Sequence, residues 1–150
     1  MAGFRFAVVV SRFNEEITGG LLRGAREYFA EASVPEDAVT IFYVPGAFEI
    51  PIAAQRLGES GDYDAIVCLG CLIKGDTMHF EYIAEAASHG IQQAAAATGV
   101  PMAFGVLTTL TEEQAVERSG AGEANKGREA AAAAVEMAKL FRKLDEGVGG

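Results

Sequence analysis

Polar residues crowded behind a long apolar run mark where this chain could do chemistry. Lys74, Gly75, Asp76, Thr77 and His79 follow directly on Ala65–Ile73. The run is apolar enough to lie inside a sheet covered on both faces, and a helix is predicted to begin near His79. A helix start offers unpaired backbone N–H groups and partial positive charge, which suit an anion. Gly75 lets backbone approach a ligand, Thr77 has a hydroxyl to donate, Lys74 adds charge, and His79 can move protons near neutral pH. The chemistry suggested is a phosphate pocket beside a proton shuttle. A plainer account is available for each residue: Thr77 as a helix cap, Lys74 as a solvated cation, His79 as a first-turn residue. The spacing is not that of a P-loop.

Cys68 and Cys71 form a C-x-x-C pair. A redox pair of this spacing needs its first thiol at a helix N-terminus, whereas these two lie in a predicted strand, where residues three apart face opposite ways. A zinc site would have to recruit His79 and His89 at spacings unlike the usual finger or ribbon. Neither redox nor metal chemistry is expected. Both thiols are expected to be buried and reduced, with Cys71 near enough to the loop to touch a ligand.

The 150 residues fit one domain, 1–150, with its core at about 4–144 and a frayed tail at 145–150. The net charge of −9 argues against a nucleic-acid partner. No apolar run approaches the ~20 residues of a membrane span, and Phe4–Val10 reads as a strand rather than a signal-peptide core. A cytoplasmic protein with no membrane association is the expectation.

Strand and helix signals alternate. Strands are predicted at Phe4–Val10, Val39–Val44, Ala65–Ile73 and Met102–Val106. Helices are predicted at Thr18–Ala32, from Glu49 to Leu57, at His79–Thr98, from the capping box Thr111-Glu-Glu-Gln114 to Arg118, and at Asn125–Leu144. This alternation implies an α/β fold, a four-stranded parallel sheet with right-handed crossovers and helices on both faces. Ligands then bind beyond the carboxyl ends of the strands. There the loop holding Phe13 and Asn14, the turn holding Gly46, Ala47, Phe48 and Glu49, and the loop Lys74–His79 converge. Aromatic faces suit a flat heterocycle, and a carboxylate suits a polyol. The alanine run Ala130–Ala134 in the last helix is read as a surface for subunit contact.

Six segments, in order, resemble the lumazine synthase family: Arg12-Phe-Asn14, Val44-Pro-Gly-Ala-Phe-Glu-Ile-Pro51, Gly70-Cys-Leu-Ile-Lys-Gly-Asp-Thr-Met-His-Phe80, Phe104-Gly-Val-Leu-Thr108, Glu112–Arg118 and Asn125-Lys-Gly127. The resemblance spans residues 4 to 144 without large gaps. It implies a flavodoxin-like three-layer α/β/α sandwich, and the condensation of 5-amino-6-(D-ribitylamino)uracil with 3,4-dihydroxy-2-butanone 4-phosphate to 6,7-dimethyl-8-ribityllumazine, phosphate and water. It also implies roles. Phe13 stacks on the uracil; Ala47, Phe48 and Glu49 hold the ribityl chain; backbone at Cys71, Leu72 and Ile73 reads the pyrimidine edge. Asp76, Thr77 and Arg118 hold the phosphate. Phe104 and Arg118 come from the neighbouring subunit. His79 is the catalytic proton carrier, and Lys74 is electrostatic or structural rather than a nucleophile. No cofactor is implied.

The family forms pentamers, and some members close twelve of them into an icosahedral shell; riboflavin synthase is an expected partner. The chain departs from the pattern in two places. It has no counterpart, ahead of Phe4, of the extra N-terminal strand that members add to a neighbour's sheet. The stretch Ser119–Ala124 lacks the lysine many members carry. Three other readings are weaker. A non-enzymatic shell or flavin- or lumazine-binding protein would have let Glu49, Thr77, His79 or Arg118 erode, a riboflavin synthase activity needs no phosphate clamp, and a general flavodoxin-like cofactor binder leaves the set of matched motifs unexplained.

Overall fold

A strand buried on both faces needs apolar side chains at every position, and Phe6–Val10 and Ala65–Cys71 supply them, interrupted only by Gly70. The structure is a computed structural model and describes residues 3–75 and 78–147. Strands β1 (Phe6–Ser11), β2 (Val39–Val44), β3 (Ala65–Ile73) and β4 (Met102–Thr109) form one parallel sheet in the order β2-β1-β3-β4. Helices α1 (Glu15–Glu31) and α5 (Lys126–Asp145) pack on one face. Helices α2 (Ile50–Glu59) and α3 (His79–Thr98) pack on the other, and the short α4 (Glu112–Glu117) follows β4. The expected three-layer α/β/α arrangement is what is found.

The side-chain period of two divides the core. Phe6, Val8, Val10, Val67 and Leu69 meet Leu21, Ala25 and Phe29 of α1 and the small residues of α5. Ala7, Val9, Ile66 and Cys68 meet Ile50 and Ala54 of α2 and Ile91 of α3.

Element ends moved where local chemistry outweighed apolar pattern. β1 begins at Phe6 rather than Phe4: Asp64 accepts a hydrogen bond from the Arg5 amide at 2.7 Å, and the Arg142 guanidinium lies 3.6 Å over the Phe4 ring. α1 starts at Glu15 rather than Thr18, because the Asn14 carbonyl accepts from the amides of Ile17 and Thr18; Glu15 and Glu16 suit a first turn. A 3-10 turn, Ala47–Glu49, precedes α2, so the helix starts at Ile50 rather than Glu49. β4 runs three residues past Val106, as Leu107, Thr108 and Thr109 pair with Cys71, Leu72 and Ile73. α5 takes in Asp145, and the amides of Glu146 and Gly147 bond back to Arg142 and Leu144. The expected tail at 145 is thus still helix.

The alanine run divides between two surroundings. Ala130, Ala131 and Ala134 are buried in the chain's own core, while Ala133 is exposed. Small residues there let α5 lie close to the sheet and to α1. Gly127 goes further: a Cβ at this position would strike the Leu21 carbonyl of α1. Beside it Asn125, 2% exposed, caps α5 by accepting from the Arg128 amide at 3.0 Å and donates to the carbonyls of Gly20 and Gly120 at 3.0 and 2.9 Å. Arg128 closes the α1–α5 contact with two 2.7 Å bonds to Glu31, which hold that carboxyl below its usual range.

Gly127→Ala should cost about 3 kcal/mol of stability, because a backbone carbonyl rather than a flexible side chain must yield; urea unfolding measures it. The cysteines give a second test. They face opposite cores, and burial pushes the thiol of Cys68 up to about 12 and that of Cys71 to about 11 from a usual 9.0. Below pH 9 both states keep the thiol protons. Above it the unfolded chain releases protons that the folded chain retains, so stability should fall as pH climbs from 9.0 toward about 11. A Cys68→Ala, Cys71→Ala double variant should lose that slope, and native protein at pH 8 should resist a thiol reagent that labels both cysteines in urea.

Candidate active site

β1 leads to β2 on one side of the sheet, and the next crossover carries the chain back past β1 to β3 on the other. The strand order therefore reverses between β1 and β3, the place where loops diverge and leave a crevice in folds of this kind. The two strands stop pairing at Val10 and Leu69, while β3 continues beside β4 to Ile73. Beyond Ser11 the chain turns toward β2: the amides of Arg12 and Phe13 donate to the carbonyls of Val44 and Pro45 at 2.8 and 3.2 Å.

The crevice holds about 630 Å³, lined by Phe13 and Asn14 after β1, Gly46–Glu49 after β2, Leu72, Ile73 and Gly75 at the end of β3, and His79, Phe80 and Ile83 on α3. Phe13 and Phe48 are 64% and 62% exposed, so their rings are open to a flat partner. Glu49 sits on the 3-10 turn with its Oε1 against Gly46, where a Cβ would come within 3.2 Å. Its carboxylate can accept from adjacent hydroxyls of a polyol. His79 opens α3 at the rim. Among the described residues no three His, Cys, Asp or Glu gather as a metal site would require, and no helix is long and apolar enough to cross a membrane.

Of the residues singled out from sequence, the crevice brings together Phe13, Ala47, Phe48, Glu49, Leu72, Ile73, Gly75 and His79. Cys71 turns its thiol into the α1–α5 core, beside the Asn14 side chain, and its carbonyl accepts from Asn14 Nδ2 at 3.1 Å. Asp76 and Thr77 lie outside the described residues. Lys74 pairs with Glu81 at 3.5 Å rather than standing as a free cation.

Phe104 and Arg118 are elsewhere. Phe104, 36% exposed, lies opposite Cys68 on β4 and lines a separate, larger groove of about 840 Å³ with Ala133, Met137 and Phe141 of α5 and the C-terminal half of α3. Arg118 is exposed at the end of α4, its carbonyl accepting from the Lys126 amide at 2.8 Å. Phe80 and Ile83 were not picked out from the sequence as site residues, and Gly46 and Asn14 were noted only as loop residues. Phe80 and Ile83 had a signal, since His79, Phe80 and Ile83 share one face of a helix by spacing.

A family model described as 6,7-dimethyl-8-ribityllumazine synthase matches residues 3–142. A 6,7-dimethyl-8-ribityllumazine synthase of Salinibacter ruber is 50% identical over 143 residues, covering 95% of this chain and 92% of that protein. A match of that extent takes in both cores and every crevice-lining segment. The chain therefore belongs to the 6,7-dimethyl-8-ribityllumazine synthase family, transferases of riboflavin biosynthesis.

Proposed function

We propose that the crevice between β1 and β3 is where 5-amino-6-(D-ribitylamino)uracil meets 3,4-dihydroxy-2-butanone 4-phosphate. The observation that carries this reading is the convergence of two open aromatic rings, a carboxylate, a strand edge beyond the end of its ladder and a histidine on one crevice. Phe13 stacks on the uracil. Ala47 and Phe48 flank the ribityl chain while Glu49 accepts from its hydroxyls. The backbone at Cys71, Leu72 and Ile73 reads the pyrimidine edge. Asp76 and Thr77, just ahead of α3 in sequence, take the phosphate.

The chemistry asks little of the protein beyond position. The 5-amino group of the uracil attacks the ketone, and loss of water gives the imine. Phosphate leaves by elimination, its C–O bond breaking as a carbon-bound proton is removed. The ribitylamino nitrogen then closes the second ring with loss of another water. The substrate supplies the amine, so no lysine adduct is needed. His79 carries protons at the imine and elimination steps, worth typically ~10²–10⁴-fold, and holding both reactants together supplies the larger share.

Phe104 and Arg118 belong to the same chemistry from a neighbouring subunit, Phe104 closing over the ring and Arg118 clamping the phosphate. The apolar groove around Phe104 is the face a second copy would cover. The assembly is a homopentamer. No long insert at 119–124 stands against twelve pentamers closing into a shell. The enzyme works in the cytoplasm without cofactor or metal, on one domain, and its lumazine product passes to a riboflavin synthase.

Mixing purified protein with the two substrates and following lumazine absorbance should show rapid formation over the uncatalysed background. His79→Ala should slow turnover by about 10²-fold without abolishing it; a folded, substrate-binding but fully inactive variant would contradict the role given to proximity. Glu49→Gln should raise KM for the uracil, and Arg118→Ala should raise KM for the butanone phosphate. When these two variants are unfolded and reassembled together, about a quarter of the sites should combine an intact Glu49 with an intact Arg118. Activity above either parent supports a shared site, and none would refute it.

A further inference from the structure

We propose that Asn14 is a positioning residue: its side-chain amide spans the crevice between β1 and β3 and sets the width of the slot that receives the flat ring. The inference deepens the reading above and rests on it.

The geometry of Asn14 is unusual for its place in the chain. It precedes α1 as the N-cap, the position where an asparagine side chain ordinarily accepts from the first helical amides. It makes no such bond. Its backbone is left-handed, φ 62° and ψ 54°, a conformation uncommon outside glycine but tolerated by asparagine. That turn sends the side chain across to β3, where Nδ2 donates to the carbonyl of Cys71 at 3.1 Å, 57 residues away in sequence.

The bond replaces something the sheet has lost. Up to Val10 and Leu69, β1 and β3 are joined backbone to backbone. The amides of Arg12 and Phe13 have gone to β2, so Cys71 faces β1 where the ladder has ended. Lys74 donates its amide to Thr109 of β4, so alternate residues, Ile73 and Cys71, turn their N–H and C=O groups toward the β1 side. Cys71 has its carbonyl met by Asn14, whereas Ile73 lines the open crevice.

Phe13 stands on the opposite wall. With its ring 64% exposed, little side-chain packing fixes it, and its position follows from the backbone it shares with Asn14. One hydrogen bond thus fixes the spacing between the stacking ring and the strand edge. Neither Glu49 nor Arg118 takes part in it.

The test is steady-state kinetics of Asn14→Gly and Asn14→Asp against both substrates, with thermal unfolding and direct titration of the lumazine product by fluorescence. Glycine keeps the left-handed turn without the tether. Aspartate keeps shape and turn but has no N–H to give and sets a carboxylate against a carbonyl. Both variants should raise KM for the ribitylaminouracil and Kd for the lumazine by about tenfold, the usual consequence of losing one well-placed hydrogen bond. KM for the butanone phosphate should stay within twofold or so of the parent. Unchanged uracil KM and lumazine Kd would overturn the proposal, as would a rise in both KM values together with a lower unfolding temperature, the sign of a structural role. Phe13→Ala separates the two levels. If it weakens uracil binding while the Asn14 variants do not, the positioning role alone fails. If it leaves uracil binding unchanged, the stacking reading fails and takes the positioning role with it.

Discussion

β3 outlasts β1. The two part at Val10 and Leu69, while β3 keeps its pairing with β4 as far as Ile73. A buried strand edge without a partner leaves backbone donors and acceptors that must be met by something. The reversal of strand order makes that edge unavoidable, since β1 has to release its chain toward β2. The rest of the site is arranged around this gap. The β1–α1 loop supplies one wall, the 3-10 turn before α2 supplies Glu49, and the first turn of α3 brings His79 to the rim. Binding groups need no special backbone of their own here, because the interrupted ladder already presents them.

The other end of the motif set does a different job. Asn125 and Gly127 are far from the crevice lining, and their roles are visible in packing. Asn125 satisfies α5's first turn and two carbonyls from α1 and the preceding loop, while Gly127 allows α5 to press against the Leu21 carbonyl. Lys126 holds the backbone of Arg118 and pairs with Glu129. This bracing fixes where Arg118 projects without any charge from the lysine-poor stretch 119–124. Motif residues that look alike in a sequence thus divide into those that line the crevice and those that fix α5 against α1.

Much of this was legible before any coordinates. Apolar runs at Phe6–Val10 and Ala65–Ile73 announce buried parallel strands, and Gly99 with Pro101 ends α3 where expected. The loops after β1, β2 and β3 could be placed together because parallel strands put their carboxyl ends on one edge. Helix starts were less legible. Asn14 begins α1 through a left-handed backbone and a carbonyl, neither of which apolar spacing reports. The end of β4 was hidden for a similar reason: Thr108 and Thr109 look like loop residues until their partners on β3 are known. Which alanines of the run turn inward was not legible, because five identical residues carry no amphipathic signal. The tether from Asn14 to Cys71 joins residues 57 apart and follows from a turn type, so no local pattern could have revealed it.

Charge is what ties the proposed site to a second subunit. The chain carries −9 overall, and among the described residues lining the crevice there is no lysine or arginine, only Glu49 and His79 as titratable groups. Lys74 stands nearby but is paired with Glu81. Under the proposed function, the cation for a phosphorylated substrate is Arg118 of a neighbouring copy. Phe104 is also out of reach: it lies opposite Cys68, four residues and roughly 13 Å down the sheet from Leu72 at a strand's rise per residue. Family membership carries small-molecule substrates and an oligomeric assembly. Under the proposed site, that assembly is a catalytic requirement. In the proposed arrangement, a neighbour that covers the apolar groove around Phe104 gains burial, and the same contact is the one asked to bring Arg118 to a crevice whose described lining has no cation.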